Sequence, residues 1–274
     1  MITIPTDAAT VMLLRSCQDR GVKDIAVLMV RRHRQSSFVP GYHVFPGGVL
    51  DPEDYEPGIE RFIHGVGRKQ AAQILMDMPY SEKALGVWVA GIRETFEEVG
   101  MLIARKKDGA PVTIGTDGER LRFESYRQSI IKGEMKFSQM LEAEDIVLPG
   151  DCLRYFSHWI TPEPLPLRYD VRFFVTEVPA RQSVVCDGVE LTDHTWLRPS
   201  TALKDYETGK IEMVLPQIMT LVELSRFQTV AEVIASVEQR KISANLTKIR
   251  RVGGKDVEIM SDGTVFDVRP PVYP

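Results

Sequence analysis

Arg93-Glu94-Thr95-Phe96-Glu97-Glu98-Val99-Gly100 is the stretch on which the reading of this 274-residue chain turns. On a helix, Glu94, Glu97 and Glu98 stand at i, i+3 and i+4, so three carboxylates share one strip. Like charges at that spacing cost about 0.2–0.5 kcal/mol per pair on an isolated helix. Such runs are often plain solvated faces. A hard divalent cation is the alternative that explains the crowding, and ligands offering only oxygen point to Mg²⁺ or Mn²⁺. Arg93 stands four residues before Glu97 and can pair with it, and Gly100 reads as a helix stop. Leu85, Trp88, Val89, Ile92, Phe96 and Val99 recur at helical spacing. They predict a helix that begins near Ser81, a fair N-cap, and buries this stripe. Trp88 reads as core, and Gly91, one turn before the carboxylates, is expected to leave room for a ligand.

Upstream, Phe45-Pro46-Gly47-Gly48 reads as a strand end running into a glycine turn. Taken with Arg93-Glu94-x-x-Glu97-Glu98-x-Gly100, it resembles the signature of the Nudix hydrolases, G-x5-E-x7-R-E-U-x-E-E-x-G-U with U aliphatic. The resemblance implies divalent-cation-dependent cleavage of a nucleoside diphosphate linked to a further group. It makes Glu94, Glu97 and Glu98 metal ligands, Arg93 their orienting partner and Gly48 the glycine that opens the box. Residues 49–92 separate Gly48 from Arg93, far more than the pattern allows. Counted back from Arg93, Leu85 stands where the family has its first glutamate, so that glutamate is expected to be missing. Phe96 replaces an aliphatic residue.

The segment from Ser37 to Asp51 resembles a large-insert subgroup whose members hydrolyse coenzyme A and its esters. Gly41 to Gly48 also overlaps a wider CoA-pyrophosphatase motif, although Ser37 stands in place of that motif's arginine. The resemblance therefore implies a CoA-type nucleoside diphosphate derivative as substrate, cut to 3′,5′-ADP and 4′-phosphopantetheine. Some Nudix enzymes place a loop glutamate six residues before a tryptophan, as Glu190 stands before Trp196; it then serves as ligand or base. Asp193 competes for that role, and the base is Glu94 or Glu190. Other readings stay open: ADP-ribose, a dinucleotide or a nucleotide sugar as substrate, a binding domain without turnover, or an interaction protein. The implied architecture is an α/β (α+β) Nudix fold, a mixed β-sheet sandwiched between helices. Residues 1–205 form the Nudix domain with a helical insert at 49–80, and residues 206–274 form a helical and hairpin extension.

Other residues suggest substrate contacts. Arg31, Arg32 and Arg34 form a basic cluster before the glycine turn, suited to phosphate or to plain solvation. Phe45, Gly47 and Gly48 are expected against the substrate. Arg168-Tyr169-Asp170-x-Arg172 joins two cations, a ring and a carboxylate, which suits a nucleotide; a strand-end salt-bridge network suits it equally.

A chain of this length can bury one substantial core, or one core plus an appendage. Its net charge of −4 argues against nonspecific nucleic-acid binding. Cys17, Cys152 and Cys186 are scattered without a CxxC pair, so neither a disulfide framework nor a zinc site is indicated, and buried structural thiols are expected. No apolar run approaches the ~20 residues of a membrane span. No secretory signal opens the chain, and Val272-Tyr273-Pro274 is not a peroxisomal address, so a cytoplasmic enzyme is the simplest expectation. Paired strands are expected over Ala9 to Leu14 and Ile25 to Val30, linked near Gly21, and again over Leu153 to Ile160 and Val171 to Val178. Pro57 to Met78 and residues 118–143 read as helical, and Thr229-x-x-Glu232 reads as a capping box. The alternation around Asp262-Gly263 reads as a hairpin that either covers a sheet edge or meets a second subunit in a homodimer.

Overall fold

The computed structural model describes residues 3–19, 21–78, 80–163, 165–238 and 240–267. Two long strands lead, β1 (Thr6–Asp19) and β2 (Val22–Arg32), paired antiparallel across a turn at Gly21. Short strands β3 (His43–Val44) and β4 (Gly47–Val49) follow, then β5 (Ile63–His64), α1 (Arg68–Ile74) and the long helix α2 (Ser81–Val99). Next come β6 (Arg105–Lys106), α3 (Asp117–Ile131), α4 (Phe137–Ala143), β7 (Ile146–Pro149), β8 (Arg154–Ile160), β9 (Tyr169–Glu177) and β10 (Leu191–Leu197). The C-terminal part holds α5 (Pro199–Glu207), α6 (Leu215–Leu224), α7 (Val230–Val237), β11 (Ala244–Leu246), β12 (Lys248–Val252), β13 (Lys255–Ile259) and β14 (Val265–Asp267).

The main sheet runs β10-β2-β1-β9-β8-β11, with β3 on β2 and β4 on β1. β1 is parallel to β9 and antiparallel to β2, so the sheet is mixed. Its inner strands are apolar on both faces, which is why they read as unbroken hydrophobic runs. Val11 and Leu13 pack with Trp88, Ile92 and Phe96 of α2. Met12 and Leu14, one residue out of phase, pack with Ala202, Leu221 and Val233 of α5, α6 and α7. The period of two thus splits one strand between two cores, and helices cover both faces.

Several expectations are corrected. The 49–80 insert is not mainly helical: it contains 3-10 turns at Pro52–Tyr55 and Ile59–Phe62, the short β5 and only the seven-residue α1. Its Pro, Gly and acidic residues favour turns over a long helix, yet Ile59, Phe62, Ala71 and Leu75 are buried, so it is ordered by packing. Residues after 205 are not a detached appendage, because α6 and α7 build the second core and β11 extends the main sheet beside β8. The expected hairpin is the second turn of a three-stranded meander, β12-β13-β14. Tyr80, with extended backbone, occupies the N-cap of α2, and Ser81 is its first helical residue. Gly91 offers no ligand space, since a Cβ there would lie 3.1 Å from Val11. The three cysteines, expected to be buried, are half-buried and form no disulfide among the described residues. Val272-Tyr273-Pro274 and Pro164 lie outside the described residues. Among the described residues no helix is long and apolar enough to cross a membrane.

Candidate active site

The carboxylate strip is set by how α2 ends and by what its arginine holds. Gly100 takes the left-handed conformation at φ 68° and its N–H bonds the Phe96 carbonyl at 2.9 Å, so the helix stops there. Arg93 is 5% exposed, and each of its five N–H donors is used. Nε and Nη2 each bond Asp54 at 2.9 Å, a fork onto a carboxylate that is 1% exposed. Nη1 bonds Glu94 at 3.0 Å and Glu97 at 3.2 Å, and Nη2 also reaches the Val49 carbonyl at 3.0 Å. The expected Arg93–Glu97 pair is therefore present, but its strongest partner is Asp54.

Asp54 corrects the expectation that the first acidic residue of the box is missing. Counted forward from Gly48, the pattern's G-x5-E spacing lands on residue 54. The insert separates that position from Arg93 in sequence, and folding closes the gap. Counting from the glycine end was the signal available in the sequence.

The glycine turn is shaped by close approaches. At Gly48 a Cβ would lie 2.4 Å from the carboxyl carbon of Glu94, so only glycine lets that side chain pass. At Gly47, φ is 152° and a Cβ would meet the Ala9 carbonyl oxygen at 2.3 Å. The Gly47 N–H donates to Glu98 at 2.8 Å. Burial raises the Glu98 carboxyl well above the ordinary range, and Glu94 adds to the rise. Burial likewise pushes Glu94 up to about 8, with Glu97 and Asp54 adding to it and Arg93 opposing. Burial also raises Glu97 against the pull of Arg93.

Glu94, Glu190, Arg32, Phe45, Gly47, Gly48 and Tyr169 line one cavity of about 340 Å³. Its other walls include Trp159, Val171 and Phe173 from the sheet, and residues of the C-terminal part. Glu98 lies buried behind Gly47, whereas Glu97 and Arg93 open onto a separate hollow with Asp51 and Glu53. The three glutamates thus share a helix strip without closing on a single point. Glu190 is exposed at the start of β10, and among the described residues its carboxylate has no hydrogen-bond or ion-pair partner.

Three expected substrate contacts do not face this cavity. Arg34 is exposed and away from it. Arg168 is buried and bonds the Thr161 and Thr3 carbonyls at 3.0 and 2.6 Å. Arg172 is 1% exposed and pairs with Asp7 at 2.7 Å, Asp77 at 2.5 Å and Asp170 at 3.3 Å. The salt-bridge reading holds for Arg172, because side chains of a strand alternate and Tyr169 points the other way. Beside it, Asp77, His158 and Asp170 offer ligand atoms all within 4.8 Å of one another, the one such group of three among the described residues. Arg172 already engages both aspartates there.

The fold matches a solved Nudix hydrolase of Alicyclobacillus acidocaldarius with a TM-score of 0.70 at 24% identity, over 86% of this chain and 97% of that one. That likeness establishes a Nudix fold. The family model of the NUDT19 Nudix domain matches residues 6–226, and the chain belongs to that family. Among curated relatives, it is 26% identical over 251 residues to the acyl-coenzyme A diphosphatase NUDT19 of Xenopus laevis, covering 82% of this chain and 66% of that protein. It is 25% identical over 236 residues to the human protein of the same name, covering 75% of this chain and 62% of that protein. The chain thus spans about two thirds of the length of these relatives.

Proposed function

We propose that this protein is a divalent-cation-dependent diphosphatase of CoA-type substrates. One observation carries the reading: Glu94, Glu98 and Glu190 gather around the Gly47–Gly48 turn at a cavity whose remaining wall is largely apolar. Its family and its acyl-coenzyme A diphosphatase relatives support the same chemistry.

The donor set fits Mg²⁺ or Mn²⁺. Arg93 meets Asp51, Asp54, Glu94 and Glu97, so carboxylates outnumber the one guanidinium in a desolvated place. Glu94 and Glu98 would hold the ion beside the cavity, while Glu97, on the same strip, offers its carboxylate toward the neighbouring hollow. When bound, such an ion neutralises charge on the diphosphate and acidifies a water.

The chain's own residues supply the rest. Arg93 fixes Glu94 and Glu97, and Asp54 fixes Arg93. The Gly47–Gly48 backbone leaves room for the Glu94 side chain and for β1, which keeps that carboxylate beside the cavity. Arg32 lines the cavity and offers a guanidinium to phosphate oxygens. Glu190 is the carboxylate free to take a proton from the attacking water, since Glu94 is held by Arg93 and Glu98 by Gly47. Water attack at phosphorus would release 3′,5′-ADP and 4′-phosphopantetheine.

A second reading keeps the site and changes the group beyond the diphosphate. Phe38 and Tyr169 meet edge to face at 5.0 Å in the cavity wall, an aromatic surface that suits a base of ADP-ribose or a dinucleotide. Product analysis by HPLC with CoA, acyl-CoA, ADP-ribose and NADH separates the two. Release of 3′,5′-ADP from CoA that needs Mg²⁺ or Mn²⁺ is expected. Preference for another diphosphate would favour the second reading, and no turnover of any would overturn both.

A further inference from the structure

The cavity that contains Glu94 also contains polar side chains from the C-terminal part that the hydrolytic chemistry leaves unused. Glu258, on β13, is 6% exposed, and no Lys or Arg pairs with it among the described residues. Its hydrogen bond comes from the hydroxyl of Thr247, the residue after β11, itself 3% exposed. Gln217, on α6, lines the same cavity at 7% exposure, and its side-chain oxygen is buried with no hydrogen-bond partner. Orphaned buried acceptors are uncommon in folded proteins, and a ligand donor is one way to satisfy them.

The sheet sets the distance from Thr247, just after β11, to the carboxylates. Gly48 lies on β4, and from β4 the strands run through β1, β9 and β8 to β11. Four spacings of ~4.8 Å put the two ends on the order of 15–20 Å apart. An extended organic arm of about a dozen bonds spans such a length together with its phosphates. Between the ends the wall is apolar, with Val171, Phe173 and Trp159.

We propose that Gln217 and the Glu258–Thr247 pair are specificity contacts for the amides of the pantetheine arm, the Gln217 oxygen accepting an amide N–H and the Glu258 carboxyl meeting an amide carbonyl. This rests on the diphosphatase reading of the same cavity. An amide suits the group because nothing there calls for charge, and because a chain of methylenes broken by amides matches an apolar wall with few polar points. Burial, against the Thr247 bond, raises the Glu258 carboxyl, which favours the neutral acid able to donate as well as accept.

The test uses the full chain with Mg²⁺, comparing wild type with Glu258→Ala, Glu258→Gln and Gln217→Ala. Steady-state CoA hydrolysis is measured together with calorimetric binding of 4′-phosphopantetheine and inhibition by 3′,5′-ADP. Each alanine variant should raise KM for CoA about tenfold, the worth of one neutral hydrogen bond, with kcat nearly unchanged. Inhibition by 3′,5′-ADP should not move, and Glu258→Gln should stay within about threefold of wild type. Gln217 and Glu258 lie on different elements, so poor folding of one variant leaves the other to decide. If wild type cleaves CoA and the folded variants keep its KM, the specificity site is overturned while the diphosphatase reading stands. If wild type leaves CoA intact, that reading fails, and calorimetry decides the site separately. Binding of 4′-phosphopantetheine that Glu258→Ala abolishes would uphold it; no binding by wild type would overturn it.

Discussion

Arg93 and Arg172 are two buried guanidiniums, each wrapped in carboxylates, and their surroundings respond in opposite ways. At Arg172, burial works against the charge on Asp77, yet the guanidinium and His158 hold that carboxyl below its usual range. At Arg93, burial lifts Glu94 to about 8 and raises Glu97 despite the same kind of cation. Depth of burial gives the first reason: even Asp54, held by the fork of Arg93, is raised by it, whereas the side chain of Asp77 is 40% exposed; the partners give the second. Arg172 ties Asp7, Asp77 and Asp170 at the foot of the insert, and His158 bonds Asp170. Arg93 spends its best fork on Asp54, and among the described residues no guanidinium bonds Glu98. Satisfied carboxylates hold a fold together; surplus ones beside a cavity mark a place where charge is to be supplied.

The comparison is open to test, and its largest expected effect lies in turnover. Glu98→Gln should lower kcat by roughly 10²–10³-fold, the scale of removing one preorganised electrostatic group, and leave the thermal midpoint unchanged or higher. Near-normal turnover would remove Glu98 from the site. Arg172→Ala should instead cost about 3 kcal/mol of stability, because it strands partly buried aspartates. Calorimetry would show this as a lower Tm, while KM of the folded fraction stays near wild type. Lost activity at full stability would erase the distinction between the two arginines.

A pH series of Tm separates the regions next. Glu94 carries its proton to about 8 in the native state, against an ordinary value of 4.5. Between those values the native state binds more protons than the unfolded one, so stability of the metal-free protein falls as pH rises from about 5 to 8. Saturating Mg²⁺ or Mn²⁺ should remove that fall. The Asp77 carboxyl lies below its ordinary 3.8, so its contribution is present above that value and lost as pH drops beneath it. A flat Tm between pH 5 and 8 without metal would contradict the surplus at Arg93. The smallest effect is expected from Arg168→Ala, which should lower stability by about 1–2 kcal/mol through lost carbonyl bonds and leave KM for CoA unchanged. A raised KM would return Arg168 to the substrate.

Much of the carboxylate helix was legible because its pattern is local. The apolar stripe, the Arg93–Glu97 pair and the Gly100 stop all follow from helical periodicity, and the structure contains each. Arg168 and Arg172 were harder to read as neighbours of Tyr169 in sequence. Strand alternation sends Tyr169, Val171 and Phe173 to the cavity and Asp170 and Arg172 to the other face, a period-two signal present in the sequence. The insert hid Asp54 because spacing from Arg93 measures chain length, whereas the fork between them measures space.

By itself the sequence determined the local terms: which residues repeat with helical or strand period, where glycine must stop a helix, and which carboxylates share a strip. Only the tertiary structure decided which acids Arg93 holds, that Glu97 opens away from the cavity of Glu94, and that Gln217 and Glu258 line that cavity. Burial, and with it the cost of each charge, depends on elements distant in the chain closing over the same space.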